Sequence, residues 1–184
     1  GTPMSSDPKA QVVALLKSIE TGEAAPVAVV NPAKYIQHNL AVGDGLAGFG
    51  AVLQALPKGS AKVNTVRVFQ DGEFVFAHTE YNFFGPKIGF DIFRFEGGKI
   101  VEHWDNLQET PAKPNPSGRT MIDGPAVAAD LDKTAANKKL VKRLVEAGLN
   151  VKEERKAPKD TRLAGKTFVF TSERGSPFTT AGFA

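Results

Sequence analysis

Two β-hairpin signals in the middle of the chain constrain its fold more than any other feature. Asp71-Gly72 and Gly97-Gly98 each separate two stretches rich in β-branched and aromatic residues, and such dipeptides suit the short turns of hairpins. The stretches are residues 62–70, 73–82, 88–96 and 99–108. Four consecutive strands joined by short turns predict an antiparallel sheet.

Helical periodicity precedes these strands. Asp7-Pro8 and Asp44-Gly45 are typical of helix starts, because a short acidic residue caps the first turn and proline fits its first position. Apolar residues follow at helical spacing: Val12, Leu15, Leu16 and Ile19, then Leu46, Phe49, Leu53 and Leu56. Helices followed by an antiparallel sheet predict an α+β fold. We expect the sheet to curl around a pocket, with the helices covering one face.

The C-terminal third has a different character. Residues 109–130 are rich in proline, glycine and asparagine, which predicts a linker. We predict a helix over 132–147 with Leu140 and Leu144 facing inward, a short strand over 167–171, and an irregular course for the last ten residues. The predicted domains are therefore an α+β domain over residues 4–125, without the first three residues, and a C-terminal extension over 126–184.

The net charge of +3 is unevenly distributed. Residues 131–184 hold 12 Lys and Arg against 6 Asp and Glu, so the extension is basic while the preceding part is acidic. We interpret the extension as a solvated helix end and loop. The alternative is an anion-binding arm, but basic tails without stacking aromatics rarely specify nucleic acid, so we do not expect a nucleic-acid partner.

Composition excludes several function classes. The chain has no cysteine, so disulfides, thiolate catalysis, zinc–cysteine sites and iron–sulfur clusters are excluded. No apolar run approaches the roughly 20 residues of a membrane helix, and no secretory signal is visible. We therefore expect a soluble, cytoplasmic protein without a membrane partner.

One strand carries an unusual pair of polar residues. His103 and Asp105 are two residues apart in the predicted last strand, so they share a face with Val101 and Leu107. An imidazole and a carboxyl are costly to bury on an apolar face unless they pair or bind something. Their mutual attraction favours the ionised forms and desolvation opposes them, a balance that suits acid–base chemistry. The alternative is a structural hydrogen bond in the core, or an exposed face.

Asp91 is a further candidate, because it shares a strand face with Phe93 and Phe95. An apolar surrounding raises the pKa of a carboxyl, which can then donate a hydrogen bond as a neutral acid. Whether Asp91 meets His103 depends on the second turn. 

Two loop lengths are open for that turn. A three-residue loop over 96–98 pairs Asp91 with His103, whereas a two-residue loop pairs Asp91 with Trp104 and turns His103 to the other face. We favour the three-residue loop, because glycine at its third position suits the positive φ that such loops use.

The remaining histidines differ in their surroundings. His38 precedes a glycine-rich turn where the mouth of the sheet is expected, whereas His78 has only Glu80 as an acidic neighbour of matching parity and is interpreted as structural. The histidine spacing matches no zinc motif, and no phosphate-binding loop or nucleophile elbow is present. We therefore predict neither a metal nor a cofactor.

Three strings carry a family resemblance. Tyr-Ile-Gln-His-Asn at 35–39, Asp-Gly at 44–45 followed by Phe49, and Phe-Asp-Ile-Phe-Arg-Phe-Glu-Gly-Gly-Lys-Ile-Val-Glu-His-Trp-Asp at 90–105 resemble SnoaL-like polyketide cyclases. That family lies in the nuclear transport factor 2-like superfamily, with ketosteroid isomerase and limonene epoxide hydrolase as relatives. The resemblance covers about residues 8–110. It implies a cone-shaped curved antiparallel sheet packed on N-terminal helices, a pocket inside the cone, and a homodimer formed through the open sheet face.

The resemblance also implies residue roles. His38 falls where ketosteroid isomerase has its general base, and Asp91 falls at that enzyme's protonated oxyanion-hole aspartate. His103 and Asp105 would form a second acid–base pair, Asp105 being closest to the cyclases' catalytic aspartate. The expected substrate-binding residues are Tyr35, Phe49, Phe93, Trp104 and Leu107. No tyrosine in the first helix completes a steroid-type oxyanion hole, so steroid isomerisation is not expected.

The predicted function is a cofactor-independent acid–base isomerase, cyclase or hydrolase acting on a small apolar molecule. One alternative is a non-catalytic ligand-binding or assembly domain with the same fold, since fold does not fix function. A second alternative is a nucleic-acid-associated protein that uses the basic extension.

The extension resembles a different family. Residues 140–154 and 163–171 are similar to the segment that enters the BRCT domain of bacterial NAD-dependent DNA ligases. About 30 residues match and the rest of that domain is missing, so no ligase activity is inferred. A lone strand at 167–171 would need an edge to pair with, such as one in a partner subunit.

Overall fold

The computed structural model describes residues 4–149, 167–171 and 177–182. The chain divides into two compact units, Gly1–Ala129 and Asp130–Ala184. The middle of the segment that resembles the ligase domain lies outside the described residues.

The first unit contains two α-helices, a short 3-10 helix and five strands. Their bounds are α1 Pro8–Thr21, the 3-10 helix Ala25–Val29, β1 Ile36–Gln37, α2 Gly45–Ala55, β2 Lys62–Asp71, β3 Phe74–Asn82, β4 Pro86–Glu96 and β5 Lys99–Glu109. This arrangement confirms the α+β class and the four strands predicted from the hairpin signals. Strand β1 is the one strand described in this unit that the sequence pattern did not indicate.

Helix α1 forms where its caps predict. The Asp7 side chain accepts a hydrogen bond from the Lys9 N–H, Pro8 opens the first turn, and Gly22 ends the helix with φ of 73°. Val12, Leu15 and Leu16 are buried on one side of the helix. They join the core against inward-facing strand residues that include Val75, Ala77, Phe93 and Phe95.

The sheet has the order β1-β5-β4-β3-β2. The pairs from β2 to β5 are antiparallel, whereas β1 pairs with β5 in parallel and aligns Gln37 with His103. The short strand β1 thereby brings the segment after the 3-10 helix beside the last strand.

The hairpin between β4 and β5 differs from both predicted registers. Glu96 pairs with Lys99, so the loop has two residues, yet Asp91 pairs with Asp105 rather than with Trp104. The register shifts between Arg94 and Phe95, because β5 contains one extra residue there. That bulge restores the parity expected from a three-residue loop. The predicted loop length and the pairing of Asp91 with His103 were therefore wrong, whereas the prediction that both face the same side is confirmed.

The two faces of the sheet are covered differently. The inner face packs on α1. The outer face carries Phe74, Phe90 and Ile92, whose side chains are partly exposed. Part of it is covered by the segment after β5, because the Arg67 guanidinium donates hydrogen bonds to carbonyl oxygens of residues 122–125.

His78 lies on this outer face. Its ring is stacked on Phe90 with centroids 4.2 Å apart, and its Nδ1 lies 2.7 Å from Nη1 of Arg67. Burial and the neighbouring guanidinium lower the pKa of His78. The imidazole is therefore neutral and accepts the hydrogen bond from Arg67.

The second unit contains a 3-10 helix, Leu131–Lys133, helix α3, Thr134–Leu149, and the antiparallel strands β6, Thr167–Thr171, and β7, Pro177–Gly182. Strand β7 corrects the prediction that the last ten residues are irregular, and it supplies the edge that β6 needs. Leu140 and Leu144 were predicted to face a core, but they are 64% and 72% exposed. No helix in the described part of the chain has the length and apolar character needed to cross a bilayer.

Candidate active site

A cavity opens between the inner face of the sheet and the two helices of the first unit. Its unfilled volume is about 690 Å³, counting the mouth that is open to solvent. The walls are mostly apolar: Leu15, Leu16, Ile19, Val42, Phe49, Val52, Leu53, Phe83, Phe93 and Leu107. A concave apolar site with a few polar groups is the usual form of a small-molecule site.

The polar lining residues come from β1 and its flanks and from the inner faces of three strands. They are Tyr35, Gln37, Asn39, Tyr81, Asp91, His103 and Asp105. Strand parity explains why these residues and not their neighbours line the cavity, because alternate residues of a strand point to the same side. The hydrogen bonds described next join six of these seven side chains, all but Tyr35, to a lining neighbour.

Asp91 and His103 form the buried centre of this set. Asp91 is 3% exposed and His103 is 7% exposed. Their side chains meet with Nε2 of His103 2.8 Å from Oδ1 of Asp91, and the other carboxyl oxygen accepts a 2.7 Å hydrogen bond from the Tyr81 hydroxyl. Phe93 stacks on the imidazole with ring centroids 4.6 Å apart. Both carboxyl oxygens therefore have a partner within the protein.

Tyr81 reaches Asp91 across a glycine. Tyr81 pairs with Lys87 and Asp91 pairs with Ala77, so Gly89 lies between the two on the same face. A Cβ atom at Gly89 would lie 2.8 Å from Cε2 of Tyr81 and 2.6 Å from Cδ2 of Leu107. The missing side chain leaves the space through which the phenol ring extends to the carboxyl group.

The segment that contains β1 supplies two amide side chains. Oε1 of Gln37 lies 2.7 Å from Nδ1 of His103, and Nδ2 of Asn39 lies 2.9 Å from each carboxyl oxygen of Asp105. Asp44 fixes the segment from outside, because its Oδ1 accepts a 2.8 Å hydrogen bond from the Gln37 N–H.

Asp105 differs from Asp91 in its surroundings. It is partly buried at the cavity wall, and its only side-chain hydrogen-bond partner among the described residues is Asn39. Burial raises the pKa of Asp105, although the Asn39 amide and the neighbouring His103 oppose that rise. A carboxyl group with a raised pKa and a cavity-facing position can exchange protons with a bound molecule.

The hydroxyl groups of Tyr35 and Tyr81 remain protonated at neutral pH. Burial and the nearby Asp91 raise the pKa of Tyr35, which a hydrogen bond from Gln37 partly offsets. The same two causes raise the pKa of Tyr81 well above its ordinary value. Both phenols are therefore hydrogen-bonding groups and not bases at neutral pH.

Asp91, His103 and Asp105 also present the donor atoms that a cation would need. One such atom from each lies within 4.8 Å of the others. Asp91 and His103 already hydrogen-bond to each other, and Asp105 to Asn39. A cation would have to displace these bonds, so the hydrogen-bonded arrangement is the one that fits the residues present.

Seven of the nine side chains predicted for the site lie together around this cavity: Asp91, His103, Asp105, Tyr35, Phe49, Phe93 and Leu107. His38 and Trp104 do not. Gln37 faces inward beside His103, so the alternate residue His38 points to the outer face. There Nε2 of His38 lies 2.9 Å from Oε1 of Glu102, and the imidazole ring of His38 stacks on Trp104 with ring centroids 4.8 Å apart.

Three of the polar lining residues were not predicted for the site: Gln37, Asn39 and Tyr81. Gln37 and Asn39 alternate with Tyr35, which was predicted to bind substrate, but the prediction of His38 implied the opposite parity, so the sequence did not decide between the two sets. Tyr81 shares parity with Val75 and Ala77 on β3. Its contact with Asp91 depends on the space at Gly89, which no sequence pattern predicts.

Solved structures that match part of this chain include an NTF2-like protein, a candidate polyketide cyclase and an LEH-like epoxide hydrolase. IdmH from Streptomyces antibioticus, a candidate polyketide cyclase, is 18% identical over 55% of this chain and 91% of that chain, with a TM-score of 0.45. An NTF2-like protein of unknown function from Cytophaga hutchinsonii is 13% identical over 58% and 93%, with a TM-score of 0.48. An LEH-like epoxide hydrolase from M. tuberculosis is 16% identical over 58% and 86%, with a TM-score of 0.46.

At these identities and TM-scores, the likenesses carry no conclusion about family membership or activity. No family model and no curated protein matches the chain.

Proposed function

We propose that the first unit binds a small, largely apolar molecule in its cavity and moves a proton on it, with Asp105 as the general acid–base. The observation that carries this proposal is the segregation of the lining: apolar side chains form the walls, and the polar groups are joined by hydrogen bonds. Isomerisation, cyclisation and hydrolysis can each proceed by general acid–base catalysis, which needs no cofactor.

Asp105 is preferred over the other ionisable groups because the protein leaves part of its hydrogen-bonding capacity unused. Both carboxyl oxygens of Asp91 and both ring nitrogens of His103 have protein partners. One amide group alone contacts the Asp105 carboxyl, so its lone pairs remain available to a ligand. The raised pKa brings its protonation closer to neutral pH, where a carboxyl works best as both acid and base.

A test that requires no natural substrate is deuterium exchange at the carbon next to a carbonyl group. 2-Tetralone, a bicyclic ketone, is incubated in D2O with the protein, and loss of its α-proton signal is followed by NMR. The wild type is expected to accelerate exchange. Asp105→Asn should lower the protein-catalysed rate about 100-fold or more, the usual contribution of a general base.

His38→Ala provides the matched comparison. The sequence prediction of His38 as the base requires that this variant lose activity, whereas its position on the outer face requires that it keep the wild-type rate. Retained exchange in Asp105→Asn would overturn the proposed role of Asp105.

The second candidate function is ligand binding without catalysis. It is favoured by the complete internal hydrogen bonding of Asp91 and His103, which is also what a structural pair in a core would show. Binding of 2-tetralone without accelerated exchange in the wild type would support this function over the enzymatic one.

We also propose that a second copy of the chain covers the outer sheet face, as the sequence resemblance implies. Phe74 and Phe90 are 43% and 42% exposed there, and Phe76 stacks on Phe90 with ring centroids 5.5 Å apart. A cluster of exposed aromatic side chains on one face is typical of an association surface.

A further inference from the structure

The main chain fixes the orientation of the Gln37 amide. The backbone N–H of Asn39 points at Oε1 of Gln37 over 3.0 Å. A backbone N–H only donates, so the side-chain atom that faces it must be an acceptor. The atom is therefore the oxygen, and the assignment does not depend on distinguishing oxygen from nitrogen in the side chain.

This oxygen then fixes a proton on His103. Nδ1 of His103 lies 2.7 Å from the same Oε1. An amide oxygen only accepts, so Nδ1 must carry hydrogen. Nε2 faces Oδ1 of Asp91 at 2.8 Å. Either Asp91 is a neutral acid that donates to Nε2, or the ring is a cation that donates to a carboxylate. In both states one proton lies between the two groups, and the pair has no net charge.

The shared proton decides the direction of the neighbouring bonds. Since the proton lies on the Oδ1 side of Asp91, Oδ2 is an acceptor and the Tyr81 hydroxyl donates to it over 2.7 Å. The Tyr81 oxygen can then offer a ligand only its lone pairs. The Gln37 oxygen is occupied by Asn39 and His103, so only its amide nitrogen is left to act on another group, and the Gln37 side chain lowers the pKa of Tyr35. No acceptor in the described part of the chain takes the Tyr35 O–H.

We propose that Gln37 is a positioning residue that orders these hydrogen bonds and leaves the Tyr35 hydroxyl as the donor to a ligand. The ligand class is then a carbonyl compound with an apolar body, whose oxygen accepts from Tyr35 while Asp105 exchanges the proton on the adjacent carbon. This assignment rests on the proposed function and deepens it. It also replaces Asp91 as the expected donor to the carbonyl oxygen.

The proton on His103 is tested by NMR of the protein labelled with ¹⁵N-histidine, because a protonated and an unprotonated ring nitrogen resonate far apart. A His103→Gln variant assigns the signals. In the wild type at neutral pH, Nδ1 of His103 is expected to carry hydrogen. Gln37→Glu keeps an acceptor oxygen and should preserve that signal, whereas Gln37→Leu should move the proton to Nε2. An unprotonated Nδ1 in the wild type, or no change in Gln37→Leu, overturns the role of Gln37.

The donor role of Tyr35 is tested with two probes of similar size, 1-indanone and indene, of which only the first has a carbonyl group. Tyr35→Phe is expected to weaken 1-indanone binding about tenfold, the effect of one hydrogen bond, and to leave indene binding unchanged. Equal changes for both probes, or none, overturn this role. If neither probe binds the wild type at millimolar concentration, the carbonyl assignment and the proposed function both fail, while the histidine spectrum still decides the role of Gln37.

Discussion

Replacement of Asp91 separates the hydrogen-bonding role of this carboxyl group from its charge. Asp91→Leu removes both acceptor oxygens, so the Tyr81 hydroxyl and Nε2 of His103 lose their partners in a buried place. Asp91→Asn keeps two bonds, because an amide oxygen can accept from Tyr81 while the amide nitrogen donates to Nε2. The asparagine thus reproduces the neutral-acid form of the pair.

The expected magnitudes follow from burial. Tyr81 is 6% exposed and His103 is 7% exposed, and an unsatisfied buried polar group costs about 1–3 kcal/mol. Two such groups cost about 2–6 kcal/mol, of which the packing of the leucine side chain returns roughly 1–2 kcal/mol. Asp91→Leu should therefore lower the free energy of unfolding by about 1–4 kcal/mol. Asp91→Asn should change it by less than about 1 kcal/mol, because no buried group is left without a partner.

Urea unfolding at pH 7 measures both values on the full chain. Trp104 is the one tryptophan of the sequence and lies in β5, so its fluorescence reports on the first unit. An unchanged slope against urea concentration shows that the same surface unfolds in each variant. If Asp91→Leu costs less than about 1 kcal/mol, or if Asp91→Asn costs as much as Asp91→Leu, satisfaction of the two hydrogen bonds is not what Asp91 contributes.

Three further predictions concern the rest of the first unit. The raised pKa of Asp105 means that the folded state binds more protons than the unfolded chain, so stability should fall as pH rises from below 3.8 through the folded pKa; Asp105→Asn should remove that fall in urea unfolding curves. Gly89→Ala should displace Tyr81 and lower stability by more than about 1 kcal/mol, whereas Gly50→Ala, with open space around its Cβ, should raise it slightly by its helix propensity. Phe90→Lys should convert a dimer to a monomer in sedimentation velocity, and an unchanged mass would contradict the proposed association of the outer faces.

The fold was predictable wherever a local pattern decides the structure. Asp7 and Gly22 bound α1 because their chemistry suits the two ends of a helix, and Gly72 and Gly97 adopt the positive φ that two-residue turns require. Strand β1 was not predictable, because two residues carry no periodicity. Strand β7 was not predictable either, because it forms by pairing with β6, and local sequence does not encode that pairing.

The site was predictable only where parity could be counted within one strand. His103 and Asp105 share a face by their spacing, and the structure brings both to the cavity. The error at His38 has the same origin, since a shift of one residue exchanges His38 for Gln37 and Asn39 on the inner side. No pattern in 35–39 indicates which alternate set faces inward. The pairing of Gln37 with His103 decides it.

The extra residue in β5 determines what the cavity contains. Without the register shift after Arg94, the two-residue turn would pair Asp91 with Trp104 and leave His103 on the outer face. The indole would then fill the cavity, and Asp91 would face no imidazole. With the shift, His103 and Asp105 turn inward, while Trp104 packs on His38 outside. An apolar hollow and the proposed proton-transfer site would thus differ by one residue in a hairpin, because side-chain direction in a strand has a period of two.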